Sequence, residues 1–539
     1  MKKKTLIILQ ARMTSKRLPY KSASLVKSIP LAILCALRLS NKGHDLILAT
    51  SKDSTDDYLV KLCNQYKINV FRGDLKNVLK RYIQCTKNLP DETVIVRATA
   101  DNPLNDGNIV NFALREFNKN SLKYFNMPIT STNLPMGLGV EVVRLSELRK
   151  IFTSRYNSLD KQHVTWKLAK AFEAKSKYYT GIKSKKKIKY RVTVDNFFDY
   201  FFISDLLKKY KDILKVSWRK IINNKNVINL DFKRENKKNI KHKLILGGAQ
   251  IGMNYGFKNE RIINNYQLDK ILDLMGTNNI NTIDTAQGYQ LSEEKLGEKI
   301  NDFQNKKHFF LFDKINEFKD ISKNSNELIK MTIYINLYLS MYKLKIHHIN
   351  VLMIHSVENF FKRKKIFKNT LLELKKKKLV GDFGISIYTP SELSRVSKQK
   401  FFKYIQIPFN IIDDRWKINL ITKLKKKNKF KIIARSIFLR GYLIHNNNWP
   451  RWFLEKNQLN KQINIILKKF NLKNNLHLCM KYVNSSKFVD YIVIGSNNSK
   501  QFKDNLLAFD KPKFLNSEMK IINKIIKIKD KKILDARNF

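Results

Sequence analysis

The chain has 539 residues, and its 105 Lys and Arg against 45 Asp and Glu give a formal charge of +60 at pH 7. That length accommodates roughly two to four domains, and 43% hydrophobic residues supply full cores. No run approaches the roughly 20 apolar residues of a membrane span, and the four cysteines, Cys35, Cys63, Cys85 and Cys479, lack the paired spacing of a disulfide framework or zinc site and fit a reduced cytoplasm.

The basic excess raises the question of a nucleic-acid partner. The lysines do not form one block interleaved with aromatics, as a single-strand groove requires. Lys, Asn and Ile are abundant throughout, which reads as compositional drift, with part of the charge gathering anionic substrates. A basic nucleic-acid binder is the rival class, marked by steeply salt-dependent DNA binding.

Met1-Lys2-Lys3-Lys4 before Thr5–Leu9 imitates a signal peptide, but the apolar run is short and Gln10-Ala11-Arg12 interrupts it. Thr5–Leu9 reads instead as a buried strand. It opens into a loop carrying Gln10, Arg12, Lys16, Arg17 and Lys21, a natural cradle for a polyphosphate as well as an ordinary basic loop. The glycines of a Walker loop are missing. Further strands are expected at Asp45–Thr50, Ile68–Phe71 and Thr93–Ala98, the last running into Asp101. Helical stretches separate them, so this half is α/β with an open, mainly parallel, Rossmann-like sheet. A strand ending in an Asp beside a phosphate loop is where Mg2+ would be held.

The motifs here are Gln10-Ala11-Arg12 with Arg17-Leu18-Pro19 and Lys21, Phe71-Arg72-Gly73, Val96 through Leu104, Gly137 through Val142, Gln162-His163-Val164-Thr165 and Arg191 through Asp195. Over about residues 3–215 the chain resembles the cytidylyltransferases of the acylneuraminate and spore-coat-polysaccharide type. The resemblance implies attack of a sugar-acid hydroxyl on the α-phosphate of CTP, with Gln10, Arg12, Arg17 and Lys21 at the nucleotide and Asp101 and Asp195 on Mg2+. Tyr20 replaces a usual glycine, and Ala100 and Asn102 replace the Gly and Cys common around the Asp. A non-catalytic nucleotide-sugar binding domain therefore stays open as an alternative. His163 is a substrate-side residue or a dimer contact, which keeps a homodimer open.

Lys183–Lys189 is a basic, hinge-like run, and residues 231–242 are charged without apolar periodicity, so they read as a linker between domains at 1–230 and 243–539. Beyond it come eight apolar runs of strand character: Leu244–Gly248, Thr282–Thr285, Phe309–Ile315, Val351–His355, Gly381–Ser386, Tyr404–Pro408, Ile432–Ser436 and Tyr491–Gly495. Lys-rich amphipathic stretches alternate with most of them. Eight βα units in this length predict a closed (β/α)8 TIM barrel, whose chemistry sits at the C-terminal strand ends.

Those ends carry Asp284, Lys314, His355, Ser386, Gln406, Arg435 and Gly495. Taken singly, each has a plain alternative: a turn-forming Asp, a surface Lys, a satisfied core His. Asp284-Thr285-Ala286, Gly288-Tyr289, Ser292-Glu293, Asp313-Lys314, Met353-Ile354-His355, Gly384-Ile385-Ser386, Gln406 through Asn410, Arg435 through Gly441 and Ile494-Gly495-Ser496 follow in order. From about Lys243 to about Ala508 this half resembles the aldo/keto reductases. The resemblance implies NAD(P)-dependent carbonyl chemistry with a tetrad of Asp284, Tyr289, Lys314 and His355. Tyr289 would be the acid, its pKa of about 10 lowered by the Lys314 ammonium. Asp284 would hold the lysine, and His355 would orient the carbonyl.

Ser386 and Gln406 would take the nicotinamide carboxamide, and Arg435 with Ser436 would lie by the ring. Gly495, Ser496, Gln501 and Asn505 would line the adenosine-phosphate side. Ile387 stands where an asparagine often helps, Arg435 where many relatives stack a tyrosine, and Gln501 where an arginine often meets a 2′-phosphate, with Lys500 and Lys503 close by. NADP(H) and NAD(H) both stay open, as does the carbonyl-bearing sugar or other small molecule reduced. The two halves together predict a bifunctional, cytoplasmic enzyme of surface-polysaccharide or sugar-acid biosynthesis.

Overall fold

A computed structural model of the protein describes residues 4–15, 18, 20–127, 134–154, 156–173, 191–222, 239–256, 261–303, 309–316, 325–416, 418–445, 449–535 and 538. The chain forms two compact units, Met1–Asp231 and Phe232–Phe539. Arg17, the basic run at 183–189 and most of the expected linker lie outside the described residues. Where the linker is described, Lys241 N donates to Asn281 Oδ1 at 3.0 Å and Asn281 Nδ2 donates to Asn239 O at 2.9 Å, which seats residues 239–241 on the second unit. Among the described residues no helix is long and apolar enough to cross a membrane.

In the first unit, strands β1 (Thr5–Gln10), β2 (Leu46–Ser51), β3 (Asn69–Gly73), β4 (Val94–Thr99), β5 (Tyr124–Phe125) and β6 (Glu141–Arg144) make one sheet in the order β3-β2-β1-β4-β6-β5. Its first four strands are parallel, with Ile7 opposite both Leu46 and Val96. Ile7, Ile8, Leu9 and Val96 are fully buried, as an apolar run covered on both faces demands. Strand order reverses beside β1, so the C-terminal ends of β1 and β4 flank the crevice where such sheets bind ligands. The sequence reading did not include β5 and β6: β6 adds antiparallel to β4 with Val96 opposite Val142, and β5 adds antiparallel to β6 with Tyr124 opposite Val143.

In the second unit, β7 (Leu244–Gly247), β8 (Thr282–Ala286), β9 (Phe310–Ile315), β10 (Ile349–Ile354), β11 (Val380–Ser386), β12 (Phe402–Pro408), β13 (Lys431–Arg435) and β14 (Tyr491–Ile494) close into a barrel. Every neighbouring pair is parallel. All eight expected runs are strands. Phe310, Phe312, Val351, Met353, Ile245 and Ile433 pack as one cluster, the alternate side chains that fill a small barrel. A glycine is needed at 384: a Cβ there would lie 2.1 Å from Met353 Sδ and 2.9 Å from the Tyr404 carbonyl.

Candidate active sites

The barrel site begins with the strand ends. β8 presents Asp284 and β9 presents Lys314, both nearly inaccessible to solvent. Lys314 Nζ donates to Asp284 Oδ1 and Oδ2, each at 2.6 Å, and to the Thr285 carbonyl at 3.3 Å. The Tyr289 ring centre lies 5.2 Å from the same ammonium. His355 follows β10. All four side chains line one cavity of about 570 Å³, together with Ser386, Gln406, Arg435, Ser436, Gly495, Gln501 and Asn505. A buried ammonium is held charged only by partners. Burial pulls the Lys314 ammonium down, but Asp284, Tyr289 and Asp313 outweigh it and keep it above its ordinary value.

Two acidities matter for the chemistry. The expectation for Tyr289 was a lowered pKa. The net direction is upward: burial of the phenol comes first, Lys314 opposes it, and Asp284 cancels part of the lysine's pull. Tyr289 is therefore a neutral phenol, a proton donor rather than a standing phenolate. Burial, then the charges of Lys314 and Arg435, push the His355 imidazole down to about 4. At neutral pH it is uncharged and offers one N–H and one lone pair.

The remaining expected residues divide. Gln406 Nε2 donates to Asp284 Oδ1 at 3.0 Å, which leaves Gln406 Oε1 buried with no donor among the described residues. Asn505 Nδ2 donates to Ser496 Oγ at 3.2 Å, and Asn505 Oδ1 is likewise without a donor. Ser496 is not on the cavity wall; it is buried behind Asn505 and holds it. Gln501 lines the cavity, but its Oε1 accepts from Asn497 N at 2.8 Å and so closes the loop.

Arg435 packs against a second planar side chain. Its guanidinium lies 4.5 Å from the Tyr388 ring centre, and Nη2 donates to the Ile387 carbonyl at 3.3 Å. The sequence reading passed over Tyr388, two residues after Ser386, and over Tyr255, whose ring lies 4.9 Å from the Arg440 guanidinium carbon. The segment after β13 holds Ser436, Leu439 and Arg440 at φ of 55°, 47° and 57°. Non-glycine residues rarely adopt that region, and its cost is characteristic of ligand-facing loops.

A nicotinamide dinucleotide fits this donor set. Two amide oxygens facing no donor, Gln406 Oε1 and Asn505 Oδ1, match the N–H donors of a carboxamide and of an adenine. A Cβ at Gly495 would lie 2.3 Å from Oε1 of the Gln250 side chain, so a larger residue there would displace that amide.

The first unit builds a second site from β1, β4 and the turn after Arg191. Lys21 Nζ lies 2.9 Å from Asp101 Oδ2 and 3.7 Å from Asp195 Oδ1, between two carboxylates 94 positions apart in the chain. Val194 N donates to the Asp101 carbonyl at 2.7 Å and keeps the two segments together. Arg191 Nη2 bridges Asp195 Oδ2 at 2.7 Å and Asp199 Oδ2 at 2.9 Å. Asp199 was missed, although Asn196 and Asp199 have the spacing of a capping box, which the helix Phe197–Lys208 adopts. Gln10 ends β1, and Arg12 is exposed on the following loop. Tyr20, in the place of a usual glycine, takes φ 55°.

Among the described residues no three His, Cys, Asp or Glu side chains gather as a metal site. Two carboxylates nonetheless suit Mg2+, which keeps several waters and is completed by substrate phosphates.

Residues 243–527 match the aldo/keto reductase family, and residues 6–233 match the cytidylyltransferase family. The first match covers more than half of the chain: the protein belongs to the aldo/keto reductases, an oxidoreductase family that uses NAD(P)H, and carries a cytidylyltransferase domain ahead of the barrel. The front domain is 32% identical over 225 residues to uncharacterized protein MJ1063 of Methanocaldococcus jannaschii, covering 40% of this chain and 87% of that protein. It is 29% identical over 234 residues to the spore coat polysaccharide biosynthesis protein SpsF of Bacillus subtilis, covering 40% of this chain and 92% of that one. Among solved structures, the holo form of aldo-keto reductase AKR11C1 from Bacillus halodurans is 19% identical, covers 53% of this chain and 92% of its own, and has a TM-score of 0.43.

Proposed function

We propose that the protein is a bifunctional enzyme that reduces a carbonyl in its barrel and transfers a cytidylyl group to a sugar acid in its front domain. The observation that carries the reductase half is the Lys314 ammonium, locked 2.6 Å from both Asp284 oxygens with the Tyr289 ring 5.2 Å away in the same cavity. When bound, NAD(P)H supplies the hydride. The rest is the work of the chain. Neutral His355 donates a hydrogen bond to the substrate carbonyl oxygen and fixes its direction. Tyr289 gives its proton to that oxygen as negative charge develops there. Lys314, held by Asp284, steadies the phenolate that Tyr289 becomes. Ser386 and Gln406 hold the carboxamide, Arg435 and Ser436 border the ring, and Gly495, Gln501 and Asn505 take the adenosine-phosphate side, with Ser496 behind.

In the front domain Asp101 and Asp195 would hold Mg2+, which when bound offsets charge on the phosphates. Gln10, Arg12, Arg17 and Lys21 bind the triphosphate of CTP. Lys21, held between Asp101 and Asp195, marks the point where the phosphates and the metal would meet. The likeness to a polysaccharide-biosynthesis protein supports a role in surface-glycan assembly, and four free cysteines are in line with a cytoplasmic setting.

The test uses the purified full chain. With CTP, Mg2+ and a panel of sugar acids it releases pyrophosphate, and with carbonyl sugars it consumes NADPH or NADH. Absence of both activities across the panel overturns the reading.

A further inference from the structure

Behind the tetrad lies a feature that this chemistry does not use. Glu293, in the first turn of helix Ser292–Phe303, and Asp313, on β9, are both completely buried. Among the described residues none of their four carboxylate oxygens has a well-formed hydrogen bond, and the one hydroxyl beside both, Ser340 on helix Asn326–Leu344, has a single proton to give. Yet the two carboxyls stand close enough to hydrogen-bond once a proton lies between them. Ionised carboxylates only accept, and two of them in contact away from water cannot both keep their charge.

Among the described residues no cation is spare to neutralise them. Lys314 directs its ammonium at Asp284 and the Thr285 carbonyl. Lys343 pairs with Glu294 at 3.2 Å. Neither carboxyl is exposed to bulk solvent. One turn past Glu293, a Cβ on Gly297 would lie 2.0 Å from the Lys343 carbonyl, so the two helices touch through their backbones.

The placement is specific. Alternation along β9 sends Lys314 into the barrel and Asp313 outward to the helices. Thr285 and Asp313 are partners in the β8–β9 register. Each directly follows or precedes a member of the tetrad, Asp284 or Lys314. Two consecutive helix residues meet them: Ser292 Oγ lies 2.9 Å from Thr285 Oγ1, and Glu293 reaches Asp313. One helical turn thus clamps both strands just behind the ion pair.

We propose that Glu293 and Asp313 share a single proton and, as a pair, position Lys314 against Asp284. The second clause rests on the reductase reading; the first does not. Burial, then the charge of Asp313, pushes the Glu293 carboxyl well above the ordinary range, and burial does the same to Asp313. The Ser340 hydroxyl, then Lys343, opposes the shift at Glu293; the Ser340 hydroxyl, then Lys314, opposes it at Asp313, where Asp284 adds to it.

Infrared difference spectra of the full chain at pH 7.5 test the shared proton. Wild type minus Glu293→Gln, and wild type minus Asp313→Asn, should each show a carboxylic-acid carbonyl band. An amide in either seat donates to the remaining carboxylate and removes the need for the proton. Flat difference spectra for both variants overturn the pair. For positioning, Glu293→Ala should lower kcat of carbonyl reduction about tenfold or more with little change in dinucleotide Kd, and Glu293→Gln should recover most of that loss. Wild-type turnover in Glu293→Ala overturns the positioning. A band in a protein that reduces nothing keeps the pair and sinks the reductase reading instead.

Discussion

Lys314 Nζ sits 2.6 Å from each carboxylate oxygen of Asp284, on adjacent parallel strands whose register sets Ala286 opposite Lys314. Neither side chain exceeds 4% exposure, so neither charge is tolerable without the other. Lys314→Met should therefore act twice. It leaves a buried carboxylate unpaired, a loss of about 3–5 kcal/mol, visible as a lower urea midpoint. It also removes the cation beside Tyr289, so reduction should fall at least as far as stability-matched controls cannot explain.

Tyr289→Phe should isolate the proton transfer. The ring and its packing stay, and the hydroxyl goes. NAD(P)H-dependent reduction should fall by about 10²–10⁴-fold, the usual contribution of a positioned acid. Dinucleotide Kd, read by fluorescence quenching, should stay within about twofold under the same principle that only the transition-state step is lost. Unchanged turnover would remove Tyr289 from the mechanism.

His355 predicts a pH dependence of stability. Its folded value is depressed to about 4, while an unfolded histidine titrates near 6.5. Between these values the unfolded chain binds the extra proton. Stability of the barrel unit is thus full above the unfolded value and declines as pH falls from about 6.5 toward about 4. The urea midpoint of wild type should drop more between pH 7 and pH 5 than that of His355→Gln, since glutamine does not titrate. Equal drops would contradict the buried, neutral imidazole.

Asp101→Asn should separate the two halves. Asp101 lies 2.9 Å from Lys21, and at 27% side-chain exposure it is a ligand-facing group rather than a core one. Pyrophosphate release from CTP should be lost while NAD(P)H oxidation persists. Titration calorimetry with Mg2+ and CTP should show weakened metal-dependent binding. Loss of both activities would mean the change had unfolded the chain.

Much of the architecture was readable before any coordinates. The eight barrel strands are short apolar runs between Lys-rich helices, and that pattern is local. So is the placement of a polar residue at the end of each strand, which is why Asp284, Lys314, His355 and Gln406 stood out from the surrounding lysines. The two-residue strand Tyr124–Phe125 could not be read this way, because nothing shorter than an alternation carries a period. The family resemblance put Ser496 with Gly495 on the cavity side, but successive residues leaving a strand face opposite ways, and only Asn505 shows which way it turned.

The linear order of residues decided the strands, the helices and the identity of the groups at each strand end, because those depend on neighbours a few positions apart. Tertiary structure alone decided the balance of charge. The Tyr289 acidity is a contest between burial and Lys314, the proton between Glu293 and Asp313 follows from two helices closing at Gly297, and Lys21 meets Asp101 and Asp195 only when the chain folds. Each is a sum over groups distant in sequence, weighted by how much water is left between them.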